Sequence, residues 1–324
     1  MIWADADGVD QGAITDYEFD LAYGTGDDPE NDYELVPLDG TRLSEGCLWH
    51  VDGTPWGGVV DSCGFDTSGA GRLAYRGRSW QGVLAGKVVC PPAGSEHYRM
   101  EGEANAAIAA LLASVGLSGA ATVPAGDSGV TLGHDLDRFC TAWDGLVDAC
   151  REAGARPELS FSGGRIVVTA VPRRTWGSEV DSDLLDLSGE REWRPVNHLV
   201  CAGEGEGGER AVVHLYADAS GAVSRTQTLF GLDERAELYE YTSADEEALV
   251  ENGTKRLADY QGQGELDVTV RDGSAGMEVG DVAVGRASAL GLVVEAEVTK
   301  KIVRATGLTV AVSHEAGRAS ARRG

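Results

Sequence analysis

Residues 203–208 (GEGEGG) have the spacing of a phosphate-binding loop. A dinucleotide site with the G-x-G-x-x-G spacing needs its glycines to open a helix whose N-terminus holds the pyrophosphate. Here residues 210–215 (RAVVHL) continue as a predicted strand, and Glu204 and Glu206 would repel phosphate. The segment is therefore interpreted as a flexible connection between two strands, and no cofactor is predicted.

Residues 5–10 (DADGVD) resemble the beginning of a calcium loop. A hand-type loop needs glycine at its sixth position and a bidentate glutamate at its twelfth. Those positions hold Asp10 and Asp16, and Val9 stands where a third carboxylate is needed. An acidic turn that leads into the first strands accounts for this segment, and no metal ligand is predicted.

The residues that could perform hydrolysis are dispersed. The chain has no G-x-S-x-G elbow, and its histidines recur neither at helical nor at H-x-H spacing. Fifty-three carboxylates guarantee close pairs by chance, so no glycosidase pair can be assigned. His198 and His214 fall on predicted strands and are interpreted as structural. We predict no catalytic residue and no enzymatic activity.

Seven tryptophans are the remaining residues that could bind a ligand, since their rings can form a platform for sugars. Trp143 lies on the apolar face of a predicted helix, which favours a core position. The others lie near predicted strand ends, where core and interface remain open alternatives.

Composition excludes several classes of function. The 324 residues carry a net charge of −26, which opposes specific nucleic-acid binding and anionic membrane surfaces. No apolar run approaches the ~18 residues of a membrane span. The first residues lack the features of a signal peptide, so the six scattered cysteines are expected to be reduced. Half of the negative charge lies in residues 1–52, which hold fourteen acids and one base.

The elements that must position these residues fall into three predicted domains. Residues 1–92 alternate as short strands and are predicted to form a β-barrel-like domain. Residues 93–182 are predicted to form an α+β domain with a helix over 103–115, a helix that begins near Asp135, and a hairpin around 162–164. Prolines 91 and 92 mark the boundary between these domains.

Strand patterning returns in the last predicted domain. Residues 183–316 are predicted to form a second β-barrel-like domain with one inserted helix over 243–261. Ser243, followed by Glu246 three residues later, has the pattern of a capping box. Residues 317–324 are predicted to be a frayed tail. The fold class is thus α+β, mainly β, with two small barrel-like domains that flank a two-helix domain.

Four segments, taken in order, resemble the hub proteins of long-tailed bacteriophages, the siphophage tail-tip or baseplate hub family. Their sequences are RGRSWQGVL at 76–84 with VVCPP at 88–92, TAWDGL at 141–146, NHLVCAGEG at 197–205, and EVGDV at 278–282. Together they span nearly the whole chain.

The resemblance implies a structural role in the tail of a phage or prophage. Hubs of this family form a ring of three copies at the tail tip, through which DNA passes. The implied partners are further copies of this chain and the distal-tail, tape-measure and tip or receptor-binding proteins. The implied location is the virion tail, assembled in the bacterial cytoplasm, without a membrane span.

Two other functions remain open at this point. The tryptophans permit a carbohydrate-binding adhesin module, and some tail proteins carry a cell-wall hydrolase. An acidic wall would let DNA pass without sticking, because like charges prevent counterion-release binding. We therefore expect part of the 1–52 region, or the 203–208 loop, to face the channel.

Overall fold

The computed structural model describes residues 1–26, 29–66, 72–177, 185–190, 195–205, 207–262, 265–270, 276–287, 292–307 and 309–323. Within these ranges the chain is mainly β, with four α-helices. No sheet closes into a barrel in the described part of the chain. The predicted class, α+β and mainly β, is confirmed, and Trp193 and Glu206 lie outside the described residues.

The first half of the chain contains the following elements: β1 (Ile2–Ala4), β2 (Asp10–Ala13), β3 (Tyr17–Gly24), β4 (Asp32–Pro37), β5 (Leu48–His50), β6 (Gly57–Val59), β7 (Ser62–Asp66), β8 (Arg72–Arg78), α1 (Trp80–Ala85), β9 (Tyr98–Glu103), α2 (Ala104–Ser114), β10 (Ala121–Thr122), β11 (Thr131–Leu136), α3 (Ala142–Glu152), β12 (Ala155–Ser162), β13 (Arg165–Pro172) and β14 (Thr175–Gly177).

The second half contains β15 (Leu185–Glu190), β16 (His198–Ala202), β17 (Val212–Ala217), β18 (Val223–Ser224), β19 (Ala236–Glu240), α4 (Glu246–Gly262), β20 (Glu265–Val270), β21 (Val282–Ala287), β22 (Leu292–Thr306) and β23 (Thr309–Arg323). Two short 3₁₀ turns cover Gly207–Glu209 and Gly231–Asp233.

The chain divides into two compact units. Unit 1 comprises 1–186 and 268–324, and unit 2 comprises 187–267. These limits do not follow the predicted boundaries at 92, 182 and 316, because strands from both ends of the chain pair in unit 1. The division into three domains stays a prediction.

Unit 1 is built on a large sheet whose central strands run in the order β23-β22-β3-β4-β8-β7. β22 pairs with β3 from Lys300↔Gly24 to Thr306↔Glu18. Period-two alternation buries Phe19, Leu21 and Tyr23 on one side of β3 and leaves its acids on the other. One continuous apolar core joins this sheet to helices α1, α2 and α3.

Unit 2 is a small sheet covered on one side by a helix. Its strand order is β18-β17-β16-β19, and α4 packs on it. Leu199, Cys201, Val213 and Leu215 meet Leu249 and Leu257 of the helix. A Cβ on Gly253 would lie 2.6 Å from the Cys201 sulfur, so glycine lets the helix approach the sheet closely.

Two predicted helix starts are wrong. The helix expected from near Asp135 begins at Ala142, because residues up to Leu136 pair with β9 and the Thr141 hydroxyl caps α3 by accepting from the Asp144 amide. The N-cap of α4 is Asp245, whose carboxylate accepts from the Ala248 amide at 2.9 Å, and not Ser243.

Residues 317–323, which belong to the predicted frayed tail, form the end of a strand in the structure. β23 continues to Arg323 and pairs with Leu292 of β22. Backbone hydrogen bonds with a long antiparallel neighbour hold this segment as a strand, whereas composition alone pointed to fraying.

Candidate interaction surface

The outward side of the central strands in unit 1 carries a row of charges across four strands. The registers place Arg304 of β22 beside Asp20 of β3, Asp20 beside Glu34 of β4, and Glu34 beside Arg76 of β8. We call this side of β22, β3, β4 and β8 the charged face. Same-face neighbours on adjacent strands lie close enough for opposite charges to pair.

The charges on this face are matched. The Arg304 Nε donates to Asp20 at 2.7 Å, and the Arg76 Nε donates to Glu34 at 2.7 Å. Farther along, Arg72 pairs with Glu18. Arg78 donates two hydrogen bonds of 2.8 Å to Asp61. Lys300 pairs with Glu30 at 2.7 Å. The five acids named here therefore each have a cation, whereas burial, and then the nearby Glu30 charge, raise the pKa of Asp32 on the same face.

Two adjoining depressions, of about 480 and 710 Å³, lie over the charged face. Both are lined by Asp20, Glu34, Arg76 and Arg304. Hydrogen bonds from Arg78 lower the pKa of Asp61, and hydrogen bonds from Lys300 lower the pKa of Glu30, so both acids stay ionised. The face is a mosaic of paired charges that suits polar contact with another surface.

Several acids of the N-terminal region form ion pairs with residues far away in the sequence. Four acids of residues 1–52, Glu18, Asp20, Glu30 and Glu34, find cations that lie 42 to 284 residues away in the sequence. Composition indicated a bare acidic surface here, and no local pattern could have disclosed these partners.

Beneath the sheet lies a buried ionic network. The Lys301 ammonium is fully buried and donates to Glu278 at 2.6 Å and to the Met277 carbonyl at 2.9 Å. The Tyr23 hydroxyl donates to the other Glu278 oxygen at 2.7 Å. Burial raises the pKa of Glu278 and, with the Glu278 charge, that of Tyr23. The network ties β22 and the segment before β21 to β3.

A second buried pair joins the same region to β12. Asp281, fully buried, lies 3.0 Å from the Arg156 Nε and accepts from the Trp176 indole at 3.0 Å. A cavity of about 420 Å³ lies nearby and is lined by Trp56 and Trp143 among others. Trp143 is 2% exposed and donates to the Gly24 carbonyl, which confirms its predicted core position.

The other described tryptophans lie either in the core or in partly exposed positions. Trp49 and Trp80 are buried in the unit 1 core, and Trp3, Trp56 and Trp176 are half-buried. They do not form a continuous exposed platform in the described part of the chain.

In unit 2, His198 and His214 lie next to each other although they are 16 positions apart in the sequence. The His198 Nε2 lies 2.8 Å from the His214 Nδ1, and the His198 Nδ1 lies 2.7 Å from a Glu234 oxygen. Since a carboxylate only accepts, the His198 Nδ1 carries hydrogen and donates to Glu234. Tyr216 stacks on His198 with ring centres 4.4 Å apart. Adjacent strands, not sequence spacing, create this cluster.

The other motifs adopt ordinary connections. Gly207–Glu209 form one short 3₁₀ turn, and the chain then enters β17 at Val212 rather than an α-helix. The Arg210 guanidinium donates to the Gly203 carbonyl. Asp5 accepts from the amides of Asp7 and Val9, so its segment is an acidic turn. No group of three metal-binding side chains occurs within the described ranges. All six cysteines are free.

No described helix is both long enough and apolar enough to cross a membrane.

Comparison with known proteins gives matches at the level of structure. No protein-family model matches the sequence, and no curated protein does. The crystal structure of a 43 kDa prophage tail protein from Shewanella oneidensis matches with a TM-score of 0.50 and 13% identity over 98% of each chain.

Two further tail proteins match with lower scores. A tail protein from Neisseria meningitidis has a TM-score of 0.45 and 16% identity, over 93% of this chain and 92% of its own. A prophage tail protein from Listeria monocytogenes has a TM-score of 0.45 and 10% identity, over 97% of this chain and 93% of its own.

The Shewanella match extends over both units of this chain. The fold is therefore similar to that of a prophage tail protein, and the resemblance to phage tail proteins indicated by the sequence is confirmed in fold.

Proposed function

We propose that this chain is a structural component of a phage or prophage tail, where it forms a hub or ring at the tail tip. The observation that carries the proposal is the fold similarity to the Shewanella prophage tail protein over 98% of both chains. A shared fold alone does not define function. The charged face, which is shaped for contact rather than for chemistry, supports the same conclusion.

The proposed ring contains three copies of the chain, with the barrel-like domains 1–92 and 183–316 alternating around a channel. Its other partners are the distal-tail, tape-measure and tip or receptor-binding proteins, and its location is the virion tail. The chain works by shape and performs no reaction in this account.

The charged face is proposed to border the channel. Its arginines are already paired with carboxylates, so they have little capacity to hold phosphates, and strong binding requires cations that neutralise phosphate and release counterions. A wall of matched charges would let DNA pass. This proposal keeps part of the 1–52 region at the channel, through Glu18, Asp20 and Glu34, and adds the cations that pair with them.

The proposal is tested on particles from a host that carries the gene. Antibodies against the full chain, with gold labels, are expected to mark one end of each tail, and deletion of the gene is expected to give particles without complete tails. Normal, unlabelled tails after deletion would overturn the proposal.

Two assays separate the alternatives. An adhesin would bind glycans and lose that binding on substitution of the half-buried Trp56, and a hydrolase would release fragments from peptidoglycan. We expect neither result for the purified chain. Either one would replace the structural assignment.

A further inference from the structure

The sheet of unit 2 has one covered and one open side. Residues that meet α4 alternate with residues on the other side, which we call the outer face: His198 and Val200 of β16, Val212, His214 and Tyr216 of β17, and Ala236, Leu238 and Glu240 of β19. Registers place Val200 beside Leu238 and beside His214.

The outer face exposes aliphatic side chains around its histidines, at positions where a solvated face is normally polar. Antiparallel sheets that face water on one side usually place polar residues there. Here Leu238 is 58% exposed and Val212 is 51% exposed, with Val200 half-buried between their strands. Phe230 and Leu232, in the connection before β19, are exposed at 63% and 90%. Exposed apolar side chains on neighbouring strands of one sheet face indicate a site of interaction.

The polar centre of the outer face is already ordered. Glu234 fixes the His198 ring, His198 fixes His214, and Tyr216 stacks on His198. A surface whose side chains are held in place loses little conformational entropy when a partner binds. The cluster therefore prepares the face for contact.

Charge identifies the kind of partner. Residues 187–267 contain seventeen acidic and seven basic residues, a net charge of −10. This unit has a quarter of the residues of the chain but more than a third of its negative charge. A second copy would set −10 against −10, and such repulsion disfavours association. A basic partner is complementary.

The layers of unit 2 indicate which kind of secondary-structure element could cover the outer face. The inner face of the same sheet is covered by the amphipathic helix α4, and a helix on each side is a stable layered arrangement for a sheet. We propose that the outer face of unit 2 binds a basic amphipathic helix of another protein, whose apolar side packs on Val200, Val212 and Leu238. Its lysines and arginines are then attracted by the net charge of −10 on this unit. This inference goes beyond the proposed function and does not depend on it.

The test uses the full chain and a labelled helical peptide of about 18 residues, with leucine at i, i+3, i+4 and i+7 spacing and lysine elsewhere. Fluorescence anisotropy is expected to show saturable binding that weakens with salt. The double variant Val212→Ser, Leu238→Ser is expected to weaken binding about tenfold or more, as for central interface residues.

Two controls make the test specific. Val310→Ser changes a valine of unit 1 with the same exposed fraction, 51%, and is expected to leave binding unchanged. A peptide with glutamate in place of lysine is expected not to bind. Circular dichroism confirms that each variant is folded.

Three results would overturn the inference: no binding of the lysine peptide, equal binding by the double variant and the wild type, or equal binding of the glutamate peptide. Self-association of the chain that the double variant abolishes would assign the face to a second copy and would also overturn it. None of these results bears on gold labelling of tails, so the two proposals fail separately.

Discussion

The two units leave a sheet face open to solvent in opposite ways. Unit 1 covers its face with matched ion pairs, and unit 2 presents valine, leucine and an ordered histidine cluster. The interiors of the two units also differ in how much charge they bury. Among the described residues, all the buried charged side chains lie in unit 1: Arg156, Asp281, Glu297 and Lys301. Unit 1 is thus organised by charge and unit 2 by apolar helix-on-sheet packing.

This difference teaches that net charge does not locate an interaction surface. The N-terminal region holds half of the charge excess, yet four acids of its sheet face are paired within the chain. The less conspicuous unit 2 carries the apolar surface that lacks a cover in the described part of the chain. Four experiments test this contrast.

The largest effect is expected from Lys301→Met in unit 1. It leaves the buried Glu278 without its cation, and removal of one partner of a buried pair costs about 3–5 kcal/mol. Six of the seven tryptophans lie in unit 1, so urea unfolding followed by tryptophan fluorescence measures its stability.

The matched control is Lys255→Met, which breaks an exposed helical pair in unit 2. Its unfolding curve is expected to coincide with that of the wild type. Equal shifts for both variants would show that unit 1 does not depend on internal charge.

The next effect is a dependence of the stability of unit 1 on pH. Burial, and then the nearby Lys301 charge, lower the pKa of His314 to about 4. The unfolded chain takes up this proton near pH 6.5, so stability is complete above that pH and is lost as the pH falls from about 6.5 to about 4. We expect a loss of about 1–3 kcal/mol from this group.

The variant His314→Gln removes that titration while an amide can still donate to the Met277 carbonyl. Its unfolding free energy is expected to vary less between pH 6.5 and 4 than that of the wild type. An unchanged slope would show that another group causes the acid sensitivity.

A smaller effect belongs to unit 2. Asp245→Ala removes the N-cap of α4 and is expected to cost about 1 kcal/mol. Hydrogen exchange is expected to accelerate in α4, while tryptophan fluorescence of unit 1 stays unchanged. Asp259→Ala, exposed near the other end of the same helix, serves as the control and is expected to have less effect. Similar exchange in both variants would contradict the cap assignment.

The smallest effect is expected on the charged face itself. A double-mutant cycle of Asp20→Ala and Arg304→Ala is expected to give a coupling energy of about 0.2–1 kcal/mol, since exposed pairs contribute little. The coupling is expected to fall as salt is added. A coupling well above this range would mean that the face is built for stability and not for contact.

The sequence predicted the local features well. The hairpins around 52–55 and 162–164, the helix beginning near 103 and the strand after the 203–208 loop follow from turn residues and from periods of two or three to four. The predicted starts of α3 and α4 are wrong for two reasons that a periodic pattern does not show. Leu136 pairs with Tyr98 in a strand before α3. Of the nearby residues that could cap α4, it is Asp245 that accepts the hydrogen bond.

The surfaces could not be predicted in this way. The pair Arg304 and Asp20 joins residues 284 positions apart, and His198 meets His214 only because β16 and β17 pair. Both depend on strand order, which no local motif in this chain encodes. The resemblance to tail hubs, which rests on the order of segments over the whole chain, anticipated the fold better than any single motif.

Cryo-electron microscopy of the intact tail tests the structural role most directly. We expect density for this chain at the tail tip, in three copies around an open channel, with the Asp20 and Arg304 side of unit 1 toward the lumen. A resolved tail tip in which no density fits this chain would contradict it.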